Sequence, residues 1–161
     1  MGLDKHQFRE HVLEWVLGKV LHPELPYEEN AVALTFETLF HESDGLVCRR
    51  QRGGGPGRGL GQCEPPTFEW LTREYLPKQR PAIWGKFAAL SPNWPAIQLK
   101  ELDYNDALAV ALCRCRYLPD PHVVPASVES RAAYWGRVYQ TDSDPEKMRD
   151  YLEHARQLYG N

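Results

Sequence analysis

The sequence predicts a mainly α-helical globular domain of about seven helices. Apolar residues recur at helical spacing in most segments, prolines and glycines punctuate those segments at helix starts and stops, and no long run alternates with period two. One stretch breaks the pattern. Residues 46–64 hold six glycines and a proline with no helical periodicity. They predict a loop, or a tiny β element, set among helices.

The helices follow in order. Phe8, Val12, Trp15 or Val16, and Val20 or Leu21 give an amphipathic helix over 3–21, ended by Pro23 and Pro26. A second helix spans about Tyr27 to Glu42. Glu28 and Glu29 suit its positive end, Ala31, Leu34, Thr35, Thr38 and Leu39 form its buried side, and Gly45 is its stop signal. Leu46-Val47-Cys48 is a candidate short strand or turn arm. Pro65 and Pro66 open a helix over Thr67 to Leu76, which Pro77 closes, and Pro81 opens another over Ala82 to Leu90. Asp103 is the expected cap of the most apolar segment, Ala107 to Cys113 and on to Tyr117, which its all-round apolar character places centrally. After an extended connection marked by Pro119, Pro121 and Pro125, a helix begins at Ala126 or Ser127. The last helix starts at Ser143-Asp144-Pro145 and runs to Tyr159, with Gly160 beyond its end.

At 161 residues the chain is expected to form one domain with a real core. A net charge of −3 gives no general attraction to nucleic acid or to an anionic membrane. Positive charge is local, at Arg49, Arg50, Arg52 and Arg58. Glycines without interleaved aromatics make that cluster a solvated or glycan-contacting loop and not a nucleic-acid face. Gly53-Gly54-Gly55-Pro56-Gly57 lacks the Gly-Lys-Ser/Thr of a phosphate loop. No apolar run reaches membrane-spanning length, and the first residues lack a secretion signal. The expectation is a chain made in the cytoplasm. Four cysteines are too few for a disulfide scaffold at this length and read as reduced thiols. A zinc site from His41, Cys48 and Cys63 is a remote alternative whose spacing matches no zinc pattern. Neither metal nor cofactor is expected.

The chemistry centres on Glu42. It stands where a helical pattern stops and a polar, glycine-rich loop begins. Cleaving a glycoside requires a proton for the leaving oxygen, and a carboxylic acid with a raised pKa supplies it near neutral pH. Desolvation by Leu39, Phe40 and Tyr134 is the expected cause of that rise. Asp44 and Glu64 are the nearby carboxylates for stabilising an oxocarbenium-like centre. If neither reaches, the substrate's own groups complete the reaction.

Three segments, in this order, resemble the goose-type lysozyme and soluble lytic transglycosylase group of the lysozyme superfamily. They are Glu42-Ser43 at a helix end, Gly59-Leu60-Gly61-Gln62 leading into a proline-initiated helix, and Ala133-Tyr134 on a later helix. The resemblance spans roughly residues 27–141. It implies a lysozyme-like fold, peptidoglycan glycan strands as substrate and Glu42 as catalytic acid. Ser43, Asp44, Gly59, Leu60, Gln62, Glu64 and Tyr134 are the expected substrate-binding residues, with Ser43 holding the loop; the resemblance implies that the Gln62 element shapes the cleft floor and that Tyr134 contacts Glu42 or the substrate near the scissile bond. Gly61 stands where the group has Met, and Trp135 where it has Asn. Compact size and the absent signal resemble phage enzymes, endolysins or virion-borne lytic parts with tail proteins as partners. A virion protein that binds glycan without cleaving it is the alternative. Lytic transglycosylase chemistry is favoured over hydrolysis because the Glu-Ser and Gly-Leu-x-Gln pairing resembles that branch.

Overall fold

The computed structural model describes residues 2–160. The chain is mainly helical, with seven helical segments and no strand among the described residues. Helix α1 covers residues 5–20: Asp4 caps Lys5–Phe8 by accepting from the His6 and Gln7 amides, and wider π-helical turns follow at Arg9–Leu13 and Val16–Val20. Helix α2 is Glu29–Glu42, α3 covers residues 65–79, and α4 is Pro81–Lys86 with a 3₁₀ turn at Phe87–Ala89. Helices α5, α6 and α7 are Asp106–Arg116, Val128–Val138 and Pro145–Tyr159.

Two helices share the centre. In α5 every residue from Leu108 to Cys115 is buried, as its apolar sequence predicts. In α2 every residue from Ala31 to Leu39 except Ala33 is buried. Thr35 and Thr38 lie there without cost because each hydroxyl donates 2.7 Å to the carbonyl one turn back, at Ala31 and Leu34. Helix α2 packs against α5, α6 and α7, and α1 packs on α5. The terminal helices are therefore part of the packed body. The tightest tie among α2, α6 and α7 is polar. The fully buried Glu37 carboxylate receives Arg131 through two bonds of 2.9 and 2.7 Å, Tyr151 at 3.0 Å and Tyr159 at 2.5 Å. With four donors on two oxygens, the buried charge is fully compensated.

Several local expectations are corrected. The cap of α5 is Asn105, whose side chain accepts from the Leu108 amide. Asp103 instead faces Arg50. Pro77 does not close α3. The turn Trp70–Tyr75 winds wider, with the Leu76 amide reaching back to the Leu71 carbonyl, and the helix continues to Gln79. Leu46-Val47-Cys48 is a turn and not a strand, because Leu46 is buried in the left-handed backbone region at φ 65°. The β element reduces to two isolated bridges, Arg50 with Arg58 and Arg58 with Cys63, which fold the glycine loop on itself. No helix among the described residues is long and apolar enough to cross a membrane.

Candidate functional site

The end of α2 is shaped to expose one carboxylate to a cleft. Ser43 terminates the helix. Its hydroxyl donates 2.6 Å to the Leu39 carbonyl and accepts 2.8 Å from the Leu46 amide. Asp44, Gly45 and Leu46 then run consecutively at positive φ, which turns the chain sharply away. Glu42 is left at the helix terminus, facing a cleft of about 610 Å³.

The opposite wall is the glycine loop, and its composition follows from close packing. The Gln51 amide lies beneath the loop and accepts 3.0 Å from the Gly57 nitrogen, so a Cβ on Gly55 would sit 2.2 Å from the Gln51 amide carbon. Gly59 has φ 74° and its Cβ would meet Leu102 Cβ at 2.9 Å, so only glycine fits. The four arginines expected to be a solvated or glycan-contacting loop are largely spent on holding it. Arg49 makes a two-pronged bond to Asp106 at 2.9 and 2.8 Å, and Arg50 bonds Asp103. Arg58 donates to the Gly55 and Gly57 carbonyls. Arg52 pairs with Asp44 at 2.7 Å near the cleft mouth. The start of α3 adds Glu64, Thr67 and Leu71. Helix α5 supplies Leu112, Cys113 and Arg116, and the segment after α6 adds Tyr139, Gln140 and Thr141.

Of the residues the sequence placed against substrate, Glu42, Asp44, Gln62 and Glu64 line this one cleft. Three others stand behind it. Ser43 and Leu60 are fully buried, and Gly59 is held against Leu102 and Ala109. They shape the cleft without facing it, so their placement as substrate contacts is corrected to a supporting one. Gln62, at φ 51°, ties the loop by donating 2.9 Å to the Gly59 carbonyl.

Tyr134 is the larger correction. It is buried on the other side of α6, stacked on Tyr117, with its hydroxyl donating 3.0 Å to Asp120. Neighbours on a helix point about 100° apart, and here Trp135 takes the inward direction. The Trp135 indole packs on Tyr151 and His41, and its Nε1 donates 3.1 Å to Glu42 Oε2. One turn on, Tyr139 reaches the cleft and donates 2.5 Å to the Gly61 carbonyl. This contact explains Gly61, since a Cβ there would lie 3.0 Å from the Tyr139 hydroxyl. Spacing contained a hint, because Trp135 and Tyr139 are four apart and share a helix face. Trp84, which could have offered a sugar ring a stacking face, is buried and packs on Phe87 and on the partly buried Trp94. Neither lines the cleft.

The electrostatics single out Glu42. Burial raises its carboxyl from 4.5 to about 7, Glu64 across the cleft adds to the rise, and the Trp135 hydrogen bond opposes it. It is thus a partly buried acid near half-protonation at neutral pH, the property a general acid–base group needs. Other nucleophile candidates are quiet. Burial pushes the Cys63 thiol up to about 12 and holds Cys113 higher still, so both stay protonated. His41 does not serve them. Its Nδ1 lies 2.6 Å from His154 Nδ1, and burial followed by that neighbour lowers its pKa to about 4. All four cysteines are free thiols, and no group of three or more His, Cys, Asp or Glu among the described residues is placed to hold a metal. Comparison of the chain with protein-family models, with curated proteins and with solved structures gives no match.

Proposed function

We propose that the chain cleaves the β-1,4-linked glycan of peptidoglycan, with Glu42 as the single general acid and base. The observation that carries the reading is the Glu42 carboxyl at the end of α2, facing a large polar cleft with its pKa raised to about 7. The cleft suits a glycan because its hydrogen-bonding groups include the neutral side chains Gln51, Gln62, Thr67, Gln140 and Thr141. The resemblance of Glu42-Ser43 and Gly59-Leu60-Gly61-Gln62 to lytic transglycosylases points the same way, and to a phage enzyme acting on the cell wall.

The chemistry follows from one acid. Protonated Glu42 gives its hydrogen to the glycosidic oxygen, and the bond from that oxygen to the anomeric carbon breaks. The resulting carboxylate accepts the proton of a hydroxyl on the same sugar as its oxygen attacks the anomeric carbon, closing an anhydro ring and restoring the acid. This intramolecular route is favoured over hydrolysis assisted by a second carboxylate. Asp44 is paired with Arg52, and Glu64 lies exposed at the start of α3. Wild-type protein is expected to clear purified sacculi and permeabilised Gram-negative cells, and Glu42→Gln is expected to lose that activity with its fold intact. Unchanged clearing by Glu42→Gln removes Glu42 from the mechanism. Glycan binding without cleavage is the second reading, favoured by the withdrawal of Tyr134 from the cleft.

A further inference from the structure

The two oxygens of the Glu42 carboxyl are unlike. Oε2 accepts 3.1 Å from Trp135 Nε1. Oε1 has no hydrogen-bond partner among the described residues and is not buried, so it is the oxygen that meets the cleft. The donor is held firmly. Trp135 is fully buried, with its ring 4.9 Å from Tyr151 at 31° and 4.8 Å from His41 edge-on. The Tyr151 hydroxyl donates 3.0 Å to the Glu37 carboxylate, which also binds Arg131, one turn before Trp135 on α6. The indole cannot turn away from Glu42 without loosening that buried polar tie.

An indole N–H only donates. A hydroxyl, a carboxamide or an imidazole in its place could also accept, and so could meet the acid proton on the oxygen it touches. Trp135 cannot. The carbonyl oxygen of a carboxylic acid accepts better than its hydroxyl, so the indole selects Oε2 as the carbonyl and leaves the O–H on Oε1. The same bond strengthens as Glu42 ionises, because a hydrogen bond to a charged acceptor is roughly twice as strong as a neutral one. Its stabilisation therefore grows as the proton leaves, where it lowers the barrier and not merely the ground state.

We propose that Trp135 is a positioning residue that fixes the proton of Glu42 on Oε1, the oxygen facing the cleft, and stabilises the carboxylate formed as that proton departs. This rests on the glycan-cleaving reading and assigns the proton of that reaction to one atom. The Oε1–H bond breaks, its electron pair stays on the carboxylate, and the hydrogen passes to the glycosidic oxygen. Oε1 then takes up the hydroxyl proton released on ring closure.

Two measurements on the full chain test it. Incorporating 3-benzothienylalanine at position 135 replaces the indole N–H by sulfur and keeps the shape of the ring. On a muramoyl glycan this is expected to lower kcat about 10- to 100-fold, the loss of one hydrogen bond to a developing charge, with KM within about twofold. On a dinitrophenyl muramoyl glycoside, whose leaving group needs no proton, kcat should stay within about threefold of wild type. In proton NMR, the Trp135 indole resonance should move between about pH 6 and 8 in the wild type and lose that movement in Glu42→Gln. Equal losses on both substrates mark a packing role and overturn the inference, as does full activity of the isostere on the glycan. An indole resonance that ignores Glu42 overturns it too, whatever the activity. If wild type cleaves neither substrate, the glycan-cleaving reading fails and takes this inference with it.

Discussion

Replacing Glu42 by Gln is expected to remove activity while making the protein more stable at alkaline pH. Gln has nearly the same shape and keeps an oxygen to accept from Trp135 Nε1. What it lacks is the buried charge. The folded pKa of Glu42 stands above its unfolded value, so its contribution to stability is full below about 4.5 and is lost as pH rises through about 7. At about 1.4 kcal/mol per pH unit, the rise from 4.5 to about 7 corresponds to about 3 kcal/mol at most. Urea unfolding of both proteins at pH 4.5 and pH 8 measures it. Glu42→Gln should gain up to about 3 kcal/mol over wild type at pH 8 relative to the difference at pH 4.5. Taking the difference between the two proteins is essential, because the adjacent His41 works in the opposite sense. Its folded pKa is lowered to about 4, so its contribution is present above 6.5 and lost as pH falls. In the wild type the two slopes partly cancel between pH 4.5 and 6.5. An equal effect of Glu42→Gln at both pH values would refute the claim that burial strains this carboxylate.

Other substitutions test the surroundings. The catalytic rate should fall above about pH 7 as Glu42 ionises, and Trp135→Phe should move that limb upward by removing the bond that favours the carboxylate; pH–rate profiles of both proteins check it. Glu64→Gln should move the same limb downward, because the Glu64 charge raises Glu42. Glu37→Ala strands Arg131 in the core and should cost about 3–5 kcal/mol in chemical unfolding, more than Tyr159→Phe, which removes one donor of four. Gly59→Ala puts a Cβ 2.9 Å from Leu102 Cβ at φ 74° and should cost at least about 1–3 kcal/mol, with loss of activity as the loop wall shifts.

The mainly helical class and most helix ends were legible because they are written in local chemistry. Pro65 and Pro145 at helix starts, Asp144 and Ser127 as caps, and Gly45 beyond α2 all act within one turn of where they stand. Glu42 was legible for the same reason, since a helix terminus beside a glycine loop is a local signature. The rest depends on partners distant in sequence. Nothing near Arg49 or Arg50 announces Asp106 or Asp103, so a loop brace reads as a free basic cluster. Tyr134 and Trp135 are equally plausible neighbours of Glu42 until packing against Tyr151 and His41 fixes the rotation of α6. Pro77 read as a stop because a sequence gives no sign that the preceding turn widens. The left-handed run through Leu46 was hidden because a leucine carries no turn signal.

Mass spectrometry of the fragments released from purified sacculi asks the central question outright, whether a proton held by Glu42 breaks a sugar–sugar bond. The account predicts muramoyl fragments with anhydro ends from wild-type protein and none from Glu42→Gln. Fragments from both proteins alike, or intact strands after incubation with folded wild type, would contradict it.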